Sequence, residues 1–261
     1  MDLSLKNKNA LVCGSTAGIG KATAMELAAL GANVTLMARN ETKLKEAMSV
    51  LPKKEDQLHD YLIADFNDPE DLKSIIIEAT FDKYFHVLVN NTGGPKGGPI
   101  FAAEVDEFIQ AFSQHLVCNQ ILVQNVVPGM KQEGYGRIIN IISTSVKQPI
   151  DGLGVSNTIR GAVANWSKTL ANELGAFGIT VNNVLPGFTA TDRLNDIFSS
   201  VAKRMNKTEA EAAEFMKALV PAKRFAQPEE VANAIAFLAS PAAGYINGIN
   251  LPVDGGRTKS L

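Results

Sequence analysis

Asn9-Ala10-Leu11-Val12-Cys13-Gly14-Ser15-Thr16-Ala17-Gly18-Ile19-Gly20 decides how the rest of the chain is read. Five residues suited to a buried strand run into a turn rich in glycine, and a helical pattern follows over 19–30. Glycines let the backbone come close to a pyrophosphate, while a helix N-terminus offers free N–H groups and the positive end of its dipole. Glycine also stands wherever a chain needs φ > 0, so the strand–turn–helix context carries the inference more than the glycines do. The stretch predicts a dinucleotide-binding turn made by Gly14, Ser15, Thr16, Gly18, Ile19 and Gly20.

Outward from this turn, short apolar runs alternate with longer helical patterns, as in a parallel sheet with crossover helices. Further strands are expected at 33–38, 61–65, 86–90, 137–142, 179–184 and 249–253, about seven in all. The runs are continuously apolar, which predicts a sheet covered by helices on both faces, an α/β doubly wound architecture. Gly31 ends the first helix, Asn40 caps the next, and Asp68-Pro69 opens a third with proline where its missing N–H costs nothing. A long helix is expected over about 104–132. Val155, Ile159, Ala162, Val163, Trp166, Leu170 and Leu174 recur at helical steps, and Gly178 stops that helix. The Ala/Glu/Lys-rich region at about 195–215 also reads as helix. No repeat or linker interrupts the chain, so residues 1–261 read as a single domain.

Composition narrows the function. Hydrophobic residues make up 46% and charged residues 20%, enough apolar material for a sizeable core. A net charge of −2 gives no electrostatic reason to expect nucleic acid or an anionic membrane as a partner. No apolar run approaches the roughly 20 residues of a membrane span, and the N-terminus lacks a signal-peptide pattern. Cys13 and Cys118 lie far apart without metal-ligand spacing, so no metal site is expected and a reducing, cytoplasmic compartment is.

The end of the second strand bears on cofactor choice. A carboxylate there would bond the ribose 2′-OH of NAD, whereas an arginine accommodates the 2′-phosphate of NADP. This chain has Ala38 and then Arg39, with Lys21 in reach from the first helix. A guanidinium that can fork onto a phosphate, with no carboxylate to repel it, favours NADP over NAD.

The turn resembles the Thr-Gly-x-x-x-Gly-x-Gly motif of the short-chain dehydrogenase/reductase family, with Cys13 at the Thr position. Asn90-Asn91-Thr92-Gly93 resembles its Asn-Asn-Ala-Gly motif, and Pro186-Gly187-Phe188-Thr189-Ala190-Thr191 its Pro-Gly-x-x-x-Thr turn. Arg224, Pro228-Glu229-Glu230, Phe237-Leu238-Ala239-Ser240 and Val253-Asp254-Gly255-Gly256 resemble its C-terminal region. Order and spacing together identify the chain as similar to this family along almost its whole length, in the manner of 3-oxoacyl-carrier-protein reductases. The resemblance implies a Rossmann fold and a nicotinamide cofactor. It implies that Asp65 bonds the adenine amino group, that Asn91 and Gly93 line the cofactor's path, and that Pro186, Gly187, the Phe188 backbone and Thr191 meet the nicotinamide carboxamide. It also implies a substrate lid at about 191–217, and a homotetramer or homodimer paired through the helices at about 104–132 and 155–177.

The catalytic positions depart from the family. There an Asn, a Ser, a Tyr and a Lys cooperate. Here Ser143 matches the Ser, but Ser156 stands at the Tyr position, Arg160 at the Lys position and His115 at the Asn position. A free phenol has a pKa of about 10 that a neighbouring cation can lower, whereas a serine hydroxyl is far less acidic. Arginine stays protonated, so Arg160 can stabilise an oxyanion but cannot relay a proton. Ser156 and Arg160 still share one helix face at i, i+4. None of Tyr61, Tyr84, Tyr135 and Tyr245 is a convincing substitute. His115 has two readings, a replacement acid/base or a packed, hydrogen-bonded helix histidine. Ser143, Ser156, Arg160 and Lys147 together suggest a positive pocket for a small carbonyl or alcohol substrate bearing an anionic oxygen. Arg160 could equally hold the nicotinamide ribose, as the family's Lys does. The expectation is an NADP-dependent oxidoreductase with a non-standard catalytic set. A catalytically silent NADP-binding protein on the same scaffold is the alternative.

Overall fold

The computed structural model describes residues 1–54 and 56–260. The N-terminal part contains β1 (Asn9–Cys13), α1 (Gly18–Ala29), β2 (Asn33–Ala38), α2 (Glu41–Ser49), β3 (Asp60–Ile63), α3 (Pro69–Ala79) and β4 (Val87–Asn90). The rest contains α4 (Val105–Phe112), α5 (Cys118–Glu133), β5 (Gly136–Ile141), α6 (Gly154–Leu174), β6 (Ile179–Pro186), α7 (Asp192–Met205), α8 (Glu209–Ala218), α9 (Pro228–Ala239) and β7 (Asn250–Val253). All pairings are parallel, in the order β3-β2-β1-β4-β5-β6-β7. The chain winds outward from β1 to β2 and β3, then returns to place β4 on the other side of β1. The winding reverses between β1 and β4, the place where doubly wound sheets take a ligand beyond the carboxyl ends of their strands.

Strand alternation explains both covered faces. Ala10 and Val12 point into one core with Leu27, Leu36, Ile235 and Leu238. Leu11 and Cys13 point into the other with Leu88, Leu122, Met130 and Ile138. Side chains on a strand alternate faces, so a strand apolar at every position must be buried on both sides.

Three expectations needed correction. The long helix at 104–132 is interrupted, because residues Ser113–Val117 form a π turn between α4 and α5. The stretch at 195–215 is two helices, α7 and α8, separated by Asn206 in the left-handed region at φ 52°. The helix before Gly178 already ends at Leu174, and a 3-10 turn over Gly175–Phe177 precedes the left-handed Gly178.

The strands also carry one polar line through the core. Asn90, Asn140, Asn183 and Asn250 are register partners on β4, β5, β6 and β7. Each side-chain amide donates to the next side-chain oxygen, at 2.8, 2.9 and 2.8 Å. Asn140 Nδ2 also reaches Ser167 Oγ of α6 at 3.2 Å. Hydrogen-bonded amides in a low-dielectric interior are rigid, although Asn90 Oδ1 at the end of the line has no partner. The ladder therefore fixes β4 to β7 against α6, next to the strand ends that carry the site.

Candidate active site

The glycine turn is built from below. Gly14 has φ 58°, which a side chain tolerates poorly, and its N–H bonds the Met37 carbonyl at 2.8 Å. A Cβ on Gly20 would lie 2.1 Å from the Gly14 carbonyl oxygen, so only glycine lets the turn close onto α1. Asn91 Nδ2 donates to the carbonyls of Cys13 and Gly14 at 3.3 and 3.2 Å and ties the turn to the end of β4. No side chain caps the N-terminus of α1, so its first N–H groups and dipole are left for a ligand. Thr16, Gly18 and Ile19 lie half-buried along this edge. Ser15 is buried, and its hydroxyl accepts from Met37 N at 3.0 Å, so its side chain braces β2 while its backbone stays in the turn. Cys13 packs against Met37, Sγ to Sδ 3.9 Å, and burial pushes its thiol pKa up, the behaviour of a small hydrophobe.

Other expected contacts line the same crevice. Arg39 is exposed one residue past β2, and Ala38 offers no carboxylate beside it. Asp65 follows the end of β3 and accepts from Asn67 N and Nδ2 at 3.0 and 2.7 Å. Gly93 is exposed, with open space where a Cβ would stand. Pro186 ends β6, and Gly187 N bonds the Val253 carbonyl at 2.9 Å. The Phe188 carbonyl accepts from Ala226 N at 2.9 Å, and Thr191 begins α7 beside Gly18. An uncapped helix end and a glycine cradle closed by its own backbone fit a dinucleotide's pyrophosphate.

The expected catalytic positions lie after β5 and on α6. Ser143 lies just beyond β5, half-buried, and its Oγ accepts from Ser145 N at 3.1 Å, leaving its proton to give. The turn before α6 is held by the 97–98 loop, with Gly98 N to the Gly152 carbonyl at 2.8 Å and Gly154 N back to the Gly98 carbonyl at 3.2 Å. That clamp sets where α6 starts. Ser156 is buried on α6, and its hydroxyl bonds to none of the described residues. Arg160 follows one turn later, also buried, with Nη1 donating to the Ile141 carbonyl at 3.0 Å and Nε without a partner. Burial, and then the nearby Arg193, bring its pKa down to about 10, so it remains a cation at neutral pH.

His115 lies in the π turn, only 2% exposed, and its Nε2 has no partner. Burial is the main force on it, followed by Arg160 and Arg193, and its pKa is pushed down to about 2. It is packed, as one of its two readings held, but not fully hydrogen-bonded. It is neutral near pH 7. No phenol takes the missing tyrosine's place. Tyr135 donates to the Ala239 carbonyl at 2.6 Å, Tyr84 to Gln132 and Tyr61 to Glu41 at 2.9 Å, and Tyr245 stands in solvent.

Residues 14–258 match the family described as enoyl-(acyl carrier protein) reductase. The chain belongs to the short-chain dehydrogenase/reductase family. It is 31% identical over 260 residues to the NADPH-dependent reductase BacG of Bacillus subtilis, covering 98% of this chain and all of that one. It is 34% identical to the 3-oxoacyl-[acyl-carrier-protein] reductase FabG of Vibrio cholerae over 261 residues, covering 97% of this chain and 98% of that one. The L-sorbose reductase of Gluconobacter frateurii, solved with NADPH and L-sorbose, superposes with a TM-score of 0.92 at 31% identity over all of both chains.

For a short-chain dehydrogenase/reductase, this site holds two cations that sequence reasoning did not single out. Arg193, in the first turn of α7, donates to the Gly94 and Pro95 carbonyls at 3.1 and 3.3 Å. Arg257 lies 4.3 Å over the Phe188 ring. Neither belongs to a motif, and only their position in the fold brings them to the crevice. Among the described residues no helix is long and apolar enough to cross a membrane, and no acidic, histidine and cysteine cluster could hold a metal.

Proposed function

We propose that this protein is an NADP-dependent oxidoreductase that interconverts a small carbonyl compound and its alcohol with a non-standard catalytic set. The observation that carries the cofactor assignment is the open glycine cradle at the uncapped end of α1, with exposed Arg39 and no carboxylate at Ala38. Bound there, the nicotinamide supplies or accepts a hydride at the substrate carbon. Ser143 orients the substrate oxygen through its free hydroxyl proton. Arg160 stabilises negative charge on that oxygen. Ser156 contributes a hydroxyl but no acid of phenol strength, so the proton reaches the oxygen by way of Ser156, His115 or water. The helices α7 and α8 form the lid over the substrate.

One observation favours the silent reading. Ser156 and Arg160 remove the usual acid and its relay, and His115, neutral near pH 7, is a far weaker acid than an imidazolium. Calorimetry with NADPH, followed by NADPH oxidation against a broad carbonyl panel, decides between the two. Binding with turnover supports the enzyme; binding without any turnover supports the silent protein.

We also propose a homo-oligomer. Ile100, Phe101, Val105, Ile109 and Phe112 are all exposed along one side of α4 and the turn before it. Such a continuous apolar strip on a water-facing surface marks a self-association face. Light scattering at micromolar concentration should return a dimer or tetramer, and a monomer would contradict it.

A further inference from the structure

Arg160 is a buried cation with an unfinished coordination. One of its nitrogens serves the Ile141 carbonyl, Nε serves nothing, and no carboxylate among the described residues pairs with it. A buried charge is normally paired. The family's ribose contact would supply only neutral hydroxyls, which leaves the charge uncompensated. A second cation, Arg193, lies against the segment that follows β4. The Arg193 guanidinium lies on the backbone of Gly94, so close that a Cβ there would be 2.7 Å from Nη2. Arg160 and Arg193 are near enough to repel one another, and both bear on His115. His115, on which both bear, is held neutral mainly by burial. The pyrophosphate cradle is at α1 and Arg39 is at the end of β2, so the cofactor's phosphates already have places of their own.

We propose that Arg160 and Arg193 together bind a carboxylate on the substrate, making the substrate class small oxo acids or hydroxy acids rather than neutral carbonyls. Planar guanidinium forks match the planar carboxylate, and a charge-assisted pair is stronger than a neutral hydrogen bond. Arg193 begins α7, so engaging the carboxylate also pulls the proposed lid onto the substrate. This rests on the oxidoreductase reading for the identity of the occupant, though not for the presence of the anion site.

The test is calorimetry of the full chain, free and saturated with NADP+, titrated with benzoate and with benzamide, its neutral counterpart. Benzoate should bind at least about 10-fold more tightly than benzamide, the scale of one charge-assisted contact. Arg193→Gln should remove most of that preference while leaving the affinity for NADP+ unchanged. Arg193 is exposed, so this variant should keep the fold, which circular dichroism checks. Arg193→Lys should keep part of the preference. Equal binding of benzoate and benzamide, or loss of NADP+ rather than benzoate affinity in Arg193→Gln, would overturn the assignment. The second of these results would give Arg193 to the cofactor's phosphates. Benzoate selectivity in a protein that never turns over NADPH would leave the anion site standing and remove only the oxidoreductase reading.

Discussion

Arg160 Nη1 donates to the Ile141 carbonyl oxygen at 3.0 Å, and this bond pins a guanidinium at the position where the motif resemblance leads one to expect an ammonium. The carbonyl belongs to the last residue of β5, two residues before Ser143. One hydrogen bond thus couples α6 to the strand that leads to Ser143, the serine proposed to orient the substrate. It also commits the side chain to a fixed direction, which suits charge stabilisation and not proton relay.

If the missing phenol and ammonium are what limit ordinary carbonyl reduction, Ser156→Tyr with Arg160→Lys should restore it. General acid catalysis contributes about 10²–10⁴-fold, so a gain of about 100-fold on neutral carbonyls is expected. Neither single change should give it, because catalytic groups acting as a unit are non-additive. Steady-state rates of the three variants on one panel check this. No gain in the double variant, with NADPH binding intact, would mean the pocket differs by more than these two residues.

Cofactor selectivity should rest on Arg39. Loss of a charge-assisted bond to a phosphate costs about 1.5–3 kcal/mol, so Arg39→Ala should weaken NADPH binding about 10- to 100-fold. NADH binding should change little. Equal losses for both cofactors in calorimetry would show that Arg39 does not read the 2′-phosphate.

Protonation of His115 should make the fold acid-sensitive. The unfolded chain takes up this proton near the ordinary value of 6.5, while burial, Arg160 and Arg193 hold the folded value down to about 2. Between those values the unfolded state binds more protons, so stability is complete above 6.5 and is lost as pH falls toward 2. The slope is about 1.4 kcal/mol per pH unit, so pH 5.5 should cost about 1.4 kcal/mol against pH 7.5. His86 is shifted in the same direction, mainly by burial, so the informative quantity is the difference between the wild type and His115→Asn. Urea midpoints at the two pH values give it. An identical pH dependence in both proteins would show that His115 is not held neutral.

The fold was legible because its signals are local. The strands at 9–13 and 33–38 fall where their apolar runs predict, and Gly31, Asn40 and Pro69 punctuate as their backbone chemistry requires. The π turn at Ser113–Val117 was not legible. Its residues all suit an α-helix, and the inserted turn depends on packing across the fold. The asparagine ladder left a sequence signal, a polar residue in each of four apolar runs. Only the register shows that Asn90, Asn140, Asn183 and Asn250 meet. The site divides in the same way. Motifs pointed to Gly14, Asn91, Ser143, Ser156 and Arg160, whereas Arg193 stands two residues past the Pro186–Thr191 motif, belongs to none, and meets Gly94 and Pro95 only through the path of the chain into α7.

The most direct test of the central claim is a single-turnover mixing of the purified protein, preloaded with deuterated NADPH, against a panel of 2-oxo acids and their methyl esters. Loss of NADPH fluorescence is expected, with deuterium delivered to the carbonyl carbon of an oxo acid and slower or no transfer to the matching ester. Tight NADPH binding with no deuterium transfer to any carbonyl would contradict that claim and leave a nucleotide-binding protein without oxidoreductase chemistry.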